Sequence, residues 1–386
     1  MRRSTSFAAV GAAALMLTGC ATTVAGNPVA DMNALKAMLD TGSFSTSKRT
    51  IDPPTEAQAR ALEARRMLEI VPLGTEIDPS LKWTNGVASA TAVGMKMGFG
   101  SGIGNALSGM QLGITVDVKD QSPSQTGLPK KDLYTAVVRM RSDADATSAV
   151  ADPRVMATDD PQFGVTQPPK VPVPVSTAGA KAFTQTSSDS SQTMAVLAHG
   201  RFVIVVYTRG LKTAAVDDFL GRQVKALDGF TPTADDKLTS LPVDRDGVGA
   251  LTLAPERASF DTYGWSTARG LVAAQTSITD GQKDFADAGV DVIGVGGNNV
   301  YRAKDAAGAK LLADRFITES KSYYTGATEY NVGGVPGARC VTWKTVLRTT
   351  NYCVVPVGRY MAEYGAIQQA EAKQATSAAY LILSKA

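Results

Sequence analysis

The chain has 386 residues, of which 44% are hydrophobic, 19% charged and 6% aromatic, a balance typical of a globular protein long enough for two domains. Its formal charge of +3 gives no long-range attraction for nucleic acid, so we expect no nucleic-acid partner. One histidine excludes a metal site built on several imidazoles, and we expect no cofactor.

The amino terminus combines a cationic start, a short apolar run and a cysteine. The apolar segment over residues 7–17 is shorter than the roughly 20 residues of a membrane-spanning helix. It leads into an order that resembles a bacterial lipobox: Leu17, Thr18, Gly19 and Cys20. We therefore expect cleavage before Cys20 and acylation of its thiol. The alternative is an ordinary secretory signal in which a cysteine falls here by accident.

Two or three acyl chains, at about 0.8 kcal/mol per buried methylene, hold a protein stably on a bilayer. Lipidation of Cys20 thus predicts a membrane-anchored protein on the extracytoplasmic face of the plasma membrane. The expected organisation is a signal peptide over 1–19, a lipidated tether over 20–50, a first α+β domain over 51–230, a linker over 231–249 and a second α+β domain over 250–386.

The first element after the tether is a helix in "PTEAQARALEARRMLEIV", which has Leu62, Met67 and Leu68 on one side and charged residues on the other. The glycine-rich stretch "GMKMGFGSGIGNALSGM" (Gly94–Met110) follows. It matches neither GxGxxG nor GxxxxGK[ST], so glycines that allow close packing, or a flexible loop, are favoured over a ligand-binding loop.

The rest of the chain contains an internal repeat. The stretches "GAKAFTQ" from Gly179 and "GARCVTW" from Gly337 are 158 residues apart, as are "GRF" from Gly200 and "GRY" from Gly358. A third pair, "RSDADATSAV" and "AKDAAGAKLL", follows the same order in the chain. The repeat predicts two similar folded units.

Each copy has the pattern of a strand, a helix, a β-hairpin and a closing helix. The strands are "LYTAVVRM" and "DVIGVGGNNVYRA", and Asp143 or Asp305 is the expected N-cap of the helix that follows. The first hairpin has the arms "AKAFTQT" and "TMAVLAHGRFVIVVYT", with "SSDSS" as its turn. This pattern predicts the α+β class, with helices packed on one face of an antiparallel sheet in each unit.

The remaining cysteines, Cys340 and Cys353, align with Ala182 and Ala195 of the first copy. Their positions predict that they face each other across two hairpin arms, within reach of a disulfide. The absence of CxxC spacing disfavours a redox-active pair.

His199 is the only histidine, and its counterpart in the second copy is Val357, which favours a structural role. The "GWSTA" sequence around Ser266 lacks the final glycine of a nucleophile elbow. A hydrolase that uses Ser266 or another hydroxyl with His199 is therefore the weaker hypothesis.

With "TTVAG" after Cys20, "LEARRMLEIVPLGTEIDPSL" and the two copies, the chain resembles a family of actinobacterial, chiefly mycobacterial, envelope lipoproteins. Members carry a domain of unknown function followed by a related C-terminal domain, and the resemblance implies a cell-envelope location. No catalytic residue is carried over from it.

The leading functional hypothesis is a non-enzymatic binding module for an envelope partner or an apolar ligand, with a cleft between the copies as the site. An envelope hydrolase using His199 and a purely structural envelope protein are the alternatives.

Overall fold

The computed structural model describes residues 38–161, 164–187 and 190–386. Two seven-stranded antiparallel sheets dominate the described part. The first sheet contains β1 Trp83–Ser89, β2 Leu112–Lys119, β3 Asp132–Arg139, β4 Val171–Pro172, β5 Lys181–Thr186, β6 Ser191–His199 and β7 Phe202–Arg209. The second contains β8 Gly264–Thr267, β9 Val292–Val295, β10 Asn299–Arg302, β11 Thr328–Tyr330, β12 Arg339–Lys344, β13 Thr349–Val357 and β14 Tyr360–Ala366.

The helices connect and cover these strands. In chain order they are α1 Glu56–Met67, α2 Gly74–Ile77, α3 Ala92–Phe99, α4 Ser101–Ala106, α5 Asp143–Ala151, α6 Thr213–Asp228, α7 Ala268–Val272, α8 Ile278–Ala288, α9 Ala306–Tyr323 and α10 Gln369–Leu383. Within the described ranges no helix is both long and apolar enough to cross a membrane.

The two sheets have the same topology. The spatial order is β1-β2-β3-β7-β6-β5-β4 in the first and β8-β9-β10-β14-β13-β12-β11 in the second. Helices occupy matching places as well, since α3 and α4 correspond to α7 and α8, α5 to α9, and α6 to α10. The two similar α+β units are confirmed, and the duplicated unit begins earlier in the chain than the sequence repeats show.

Both faces of each sheet are covered by helices. On the first sheet, α5 packs with α3 and α4 against one face, and α6 packs against the other. On the second, α8 and α9 cover one face and α10 the other. Each unit is therefore a three-layer arrangement with a sheet in the middle.

The GRF and GRY repeats are tight turns between strands. Gly200 and Gly358 begin the two-residue connections β6–β7 and β13–β14, with φ of 53° and 54°. A positive φ is tolerated best by glycine, which explains why both copies have glycine here. The prediction of "TMAVLAHGRFVIVVYT" as one hairpin arm is wrong, because this stretch forms two strands joined by this turn.

Two further predicted details are wrong. "DVIGVGGNNVYRA" forms the separate strands β9 and β10, because the chain reverses at its glycines. Asp305 caps α9 as expected, but Ser142 rather than Asp143 caps α5, since the Ser142 side chain accepts a hydrogen bond from the Asp145 amide.

In the "SSDSS" turn, residues 188 and 189 lie outside the described residues. The predicted signal peptide, the lipobox and Cys20 also lie outside them.

Helix α1 lies between the two units. Leu62, Met67 and Leu68 are buried as the spacing indicates, but Glu63 and Arg65 are buried too. Glu63 accepts hydrogen bonds from the backbone amide and the hydroxyl of Thr233, which attaches the segment predicted as a linker to this helix. A charged helix face is thus buried because the second unit and the connecting segment pack against it.

One hydrophobic cluster continues through both units. It joins Ile204 of the first sheet, Met67 of α1, Leu271 of α7 and Ile293 of the second sheet. Most of the junction is therefore filled with side chains. A pocket of about 310 Å³ beside Leu62, Leu241 and Trp265 lies at the junction, where the sequence predicts a cleft between the copies.

Cys340 and Cys353 form a disulfide between directly opposed residues of β12 and β13. Their counterparts in the first unit, Ala182 and Ala195, are directly opposed in the same way.

We predict that Cys340→Ala/Cys353→Ala lowers the free energy of unfolding by roughly 3 kcal/mol, because a cross-link that closes a short loop restricts the unfolded chain. Alanine is the residue that the first unit tolerates at both positions, so the loss measures the cross-link rather than a steric clash. Urea unfolding of both proteins without reductant measures the difference. Equal midpoints would contradict the prediction.

Candidate functional site

A cavity of about 300 Å³ lies in the second unit, between the sheet and helices α8 and α9. Strands β10, β12, β13 and β14 form its floor, and the segment from Ala274 to Ser277 contributes to its rim. Its sixteen lining residues, all within the described part of the chain, include two glutamates and no lysine, arginine or histidine.

Glu363 on β14 is the carboxylate at the floor of this cavity. Its Oε1 accepts hydrogen bonds from Asn299 Nδ2 at 2.7 Å and from the Tyr301 hydroxyl at 2.6 Å. Its Oε2 accepts one from the Tyr352 hydroxyl. Burial, together with the adjacent Glu363 charge, raises the pKa of both tyrosines well above the ordinary value, so both hydroxyls remain protonated donors. No cation forms an ion pair with Glu363 among the described residues.

Glu319 on α9 is the second glutamate of the cavity. Burial, a hydrogen bond to Asp284 and the nearby charges of Asp284 and Asp280 raise the pKa of Glu319 to about 9. Asp284 is 2% exposed, and Arg315 donates to its Oδ1 at 2.9 Å. A Glu319 carboxyl that keeps its proton at pH 7 can donate to the other oxygen of Asp284, so the pair carries one negative charge instead of two.

Aromatic rings form the walls. Trp343 and Tyr324 stack with centroids 4.3 Å apart, and Tyr352 lies 6.4 Å from Trp343. The ring of Tyr323 packs edge-on against the ring of Trp83 of the first unit, with centroids 5.1 Å apart. Flat aromatic walls around a carboxylate are suited to a small ligand that has both polar and apolar surface.

The first unit supports the rim of the cavity. The Thr84 amide donates to the Thr276 carbonyl at 3.1 Å, and the Ile278 amide donates to the Lys82 carbonyl at 2.8 Å. The start of β1 is therefore hydrogen-bonded to the rim segment. The cavity belongs to the second unit, but its shape depends on both.

The polar set at the floor has an apolar counterpart in the first unit. The two sheets are aligned by placing Tyr360 of β14 at the position of Phe202 of β7. The paired residues Asn299 and Glu363 then correspond to the paired residues Ala136 and Val205. In the same way, the pair of Tyr301 and Met361 corresponds to the pair of Val138 and Val203. The same register matches Tyr352 with Met194. All four counterparts belong to the hydrophobic core beneath α5: Ala136, Val138, Met194 and Val205. The fold thus forms without polar groups at these positions, which marks the second-unit set as a candidate binding site.

The glycine-rich segment does not form a ligand loop. Gly100 has a φ of 91°, and a Cβ there would meet the Asp159 carboxylate. Asp159 accepts a hydrogen bond from the Gly102 amide at 2.7 Å and pairs with the buried Lys170. The start of α4 is therefore already occupied by a carboxylate of the same chain, and these glycines allow close packing.

His199 and Ser266 are not brought together. His199 Nε2 lies 2.7 Å from Asp228 Oδ1 at the end of α6, on the first unit. Ser266 is 3% exposed in β8 of the second unit, and its hydroxyl donates to the Thr267 carbonyl. The described residues also contain no group of three or more His, Cys, Asp or Glu side chains placed to hold a metal ion.

The fold and the site together define a duplicated α+β protein with an aromatic, acidic cavity in its second copy. Residues 50–243 match the family model described as the N-terminal domain of unknown function DUF7373, and residues 241–386 match the C-terminal DUF7373 model. The chain belongs to the DUF7373 family.

No match is found among curated proteins. Among solved structures, the extracellular domain of PknH from Mycobacterium tuberculosis is similar at a TM-score of 0.32 and 10% identity. The alignment covers 46% of this chain and 99% of that one. A TM-score of this size does not establish a common fold.

We predict that Glu363→Leu alone destabilises the protein by about 2 kcal/mol or more, because two buried tyrosine hydroxyls lose their acceptor. The triple variant Tyr301→Phe/Tyr352→Phe/Glu363→Leu removes both phenol donors together with the acceptor and leaves only the partly exposed Asn299 amide, so it should return to within about 1 kcal/mol of wild type. Urea unfolding measures both. A triple variant that is less stable than the single one would show that the network is needed for folding.

We predict that Glu319 makes stability fall as the pH rises. Its pKa is raised from the ordinary value of 4.5 to about 9 in the folded protein, so its stabilising contribution is complete below pH 4.5 and is lost as the pH approaches 9. Glu319→Gln resembles the neutral acid and should be more stable than wild type at pH 9, with a smaller difference at pH 5. Thermal unfolding across this range tests the sign, with the exposed Glu256→Gln as control. Parallel curves for wild type and Glu319→Gln would contradict it.

Proposed function

We propose that this chain is a non-enzymatic, lipid-anchored binding protein on the extracytoplasmic face of the plasma membrane, and that the cavity in its second unit binds a small ligand. The observation that carries the binding role is the replacement of an apolar core in one copy by Glu363, two tyrosines and Asn299 in the other. A polar network of this kind is not required by the shared fold.

The N-terminal sequence supports the location. The lipobox order at Leu17–Cys20 predicts acylation of Cys20, and the resemblance to envelope lipoproteins suggests an actinobacterial, mycobacterial-type cell envelope. The disulfide between Cys340 and Cys353 is consistent with an oxidising compartment outside the cytosol.

An apolar ligand in the junction pocket is the second candidate. That pocket is lined by Leu62, Leu241, Pro242 and Trp265, with the polar groups of Arg66 and Thr233 at its edge. Its volume of about 310 Å³ suits a small apolar molecule. A purely structural role, or docking of an envelope protein, is what would remain if neither pocket is occupied.

The anchor predicts that Cys20→Ser moves the protein from the membrane fraction to the soluble fraction of its native host, because the acylated thiol is lost. Immunoblotting of the fractions measures this, and Cys340→Ser/Cys353→Ser, which leaves Cys20 intact, is the control. Unchanged membrane association of Cys20→Ser would contradict lipid anchoring at this residue.

The binding role is tested on full-length protein purified from the native envelope. Mass spectrometry of small molecules released on denaturation should detect a compound with the wild type that is missing from Tyr301→Phe/Tyr352→Phe/Glu363→Leu. A compound lost instead from Trp265→Ala would favour the junction pocket. Identical profiles for all three proteins would contradict a ligand-binding role at either pocket.

A further inference from the structure

We propose that the cavity of the second unit recognises a small organic cation with an ammonium group, an inference that rests on the proposed function of this cavity. Charge, aromatic walls, donor placement and size point to the same chemistry.

The charge at the cavity floor is negative, and no lining residue balances it. Glu363 carries this charge, whereas Glu319 keeps its proton at pH 7 beside Asp280 and Asp284 of α8. The nearby Arg315 donates to Asp284 and Asp287 and is not a lining residue. The charge of Arg348 acts to lower the pKa of Tyr324, but Arg348 is exposed on the β12–β13 hairpin and is not a lining residue either. A cation that enters the cavity therefore supplies the missing counter-charge to a partly buried carboxylate.

The hydrogen bonds around Glu363 also favour a cation. Its carboxylate uses three of about four acceptor positions for Asn299, Tyr301 and Tyr352, which leaves acceptor capacity for an N–H group or a close positive charge. The two tyrosine hydroxyls are committed as donors to Glu363. An anionic ligand would meet the Glu363 carboxylate and no cationic side chain among the lining residues.

The walls provide the second half of the recognition. Trp343, Tyr324 and Tyr352 line the same cavity, and aromatic faces attract ammonium and quaternary ammonium groups through their negative electrostatic potential. A volume of about 300 Å³ corresponds to roughly ten water molecules at about 30 Å³ each, so it accommodates a headgroup-sized amine.

Choline and its neutral isostere 3,3-dimethylbutan-1-ol provide the test, because they have nearly the same shape and differ in charge. Isothermal titration calorimetry on the full chain should show choline binding at least about tenfold more tightly than the alcohol, since cation–π attraction and the unpaired carboxylate both act on charge. Glu363→Gln should reduce this preference to less than about threefold, and the exposed Glu256→Gln should keep it.

A comparison of choline with phosphocholine distinguishes a free amine from a lipid headgroup as the source of the ammonium group. Phosphocholine binding as tightly as choline would indicate a lipid headgroup, whereas weaker binding would indicate a free amine. Either outcome, with the choline preference intact, supports the cation.

Equal affinity for choline and the neutral alcohol would overturn the cation while leaving a binding cavity in place. Failure of choline and ethanolamine to bind wild type, with its thermal unfolding unchanged, would likewise overturn it. The co-purification experiment on wild type and the triple variant does not depend on the ligand's charge, so it judges the proposed function separately.

Discussion

The hydrophobic cluster that runs through both units is the constraint on which the rest of the structure depends. It joins one face of the first sheet to the face of the second sheet that α8 and α9 cover, with α1 between them. This packing places Trp83 against Tyr323 and holds the start of β1 to the rim segment around Thr276. The cavity is thus positioned by burial of apolar surface, the dominant favourable term in folding, and not by its own polar contacts.

The duplication separates what the fold needs from what the second copy has added. In the first unit, the positions beneath α5 are filled by apolar side chains that form a continuous core. In the second, the same positions hold a carboxylate, two phenols and an amide beside an open cavity. A buried polar network is costly unless every member has a partner, and here Glu363 receives a donor from each neighbour. Glu363 still lacks a counter-charge, which a ligand in the cavity can supply. The cavity, rather than the hydrogen-bond network itself, is therefore the candidate site.

Much of the fold followed from local patterns in the sequence. The spaced repeats predicted two similar α+β units, and the alignment of Cys340 with Ala182 placed the two cysteines opposite each other. The strand count did not follow, because the connections at Gly200 and Gly296 are only two and three residues long, so the apolar stretches on either side of each read as one strand. The burial of Glu63 could not be predicted either, since it depends on Arg139 of β3 and Thr233 of the connecting segment, both distant in the sequence, packing against α1.

The candidate site does not follow from the sequence for a related reason. The residues that resemble catalytic or ligand-binding motifs are His199, Ser266 and the glycine-rich segment, and the cavity contains none of them. The available signal was a difference between copies: "GRYMAEYGA" places Glu363 where "GRFVIVVYT" has Val205. A charged residue in one copy of an apolar strand is informative only once the strands are aligned in register, and Tyr301, Tyr352 and Asn299 join it only through the sheet.

The most direct test of the account is ¹⁹F NMR of the full chain labelled with 5-fluorotryptophan, because its three tryptophans report on different places. Trp343 lines the second-unit cavity, Trp265 lines the junction pocket, and Trp83 packs on Tyr323. The account predicts that the water-soluble fraction of a native envelope extract shifts the Trp343 resonance and leaves Trp265 unchanged. A shift confined to Trp265, produced by the organic-soluble fraction, would contradict it and place the ligand at the junction.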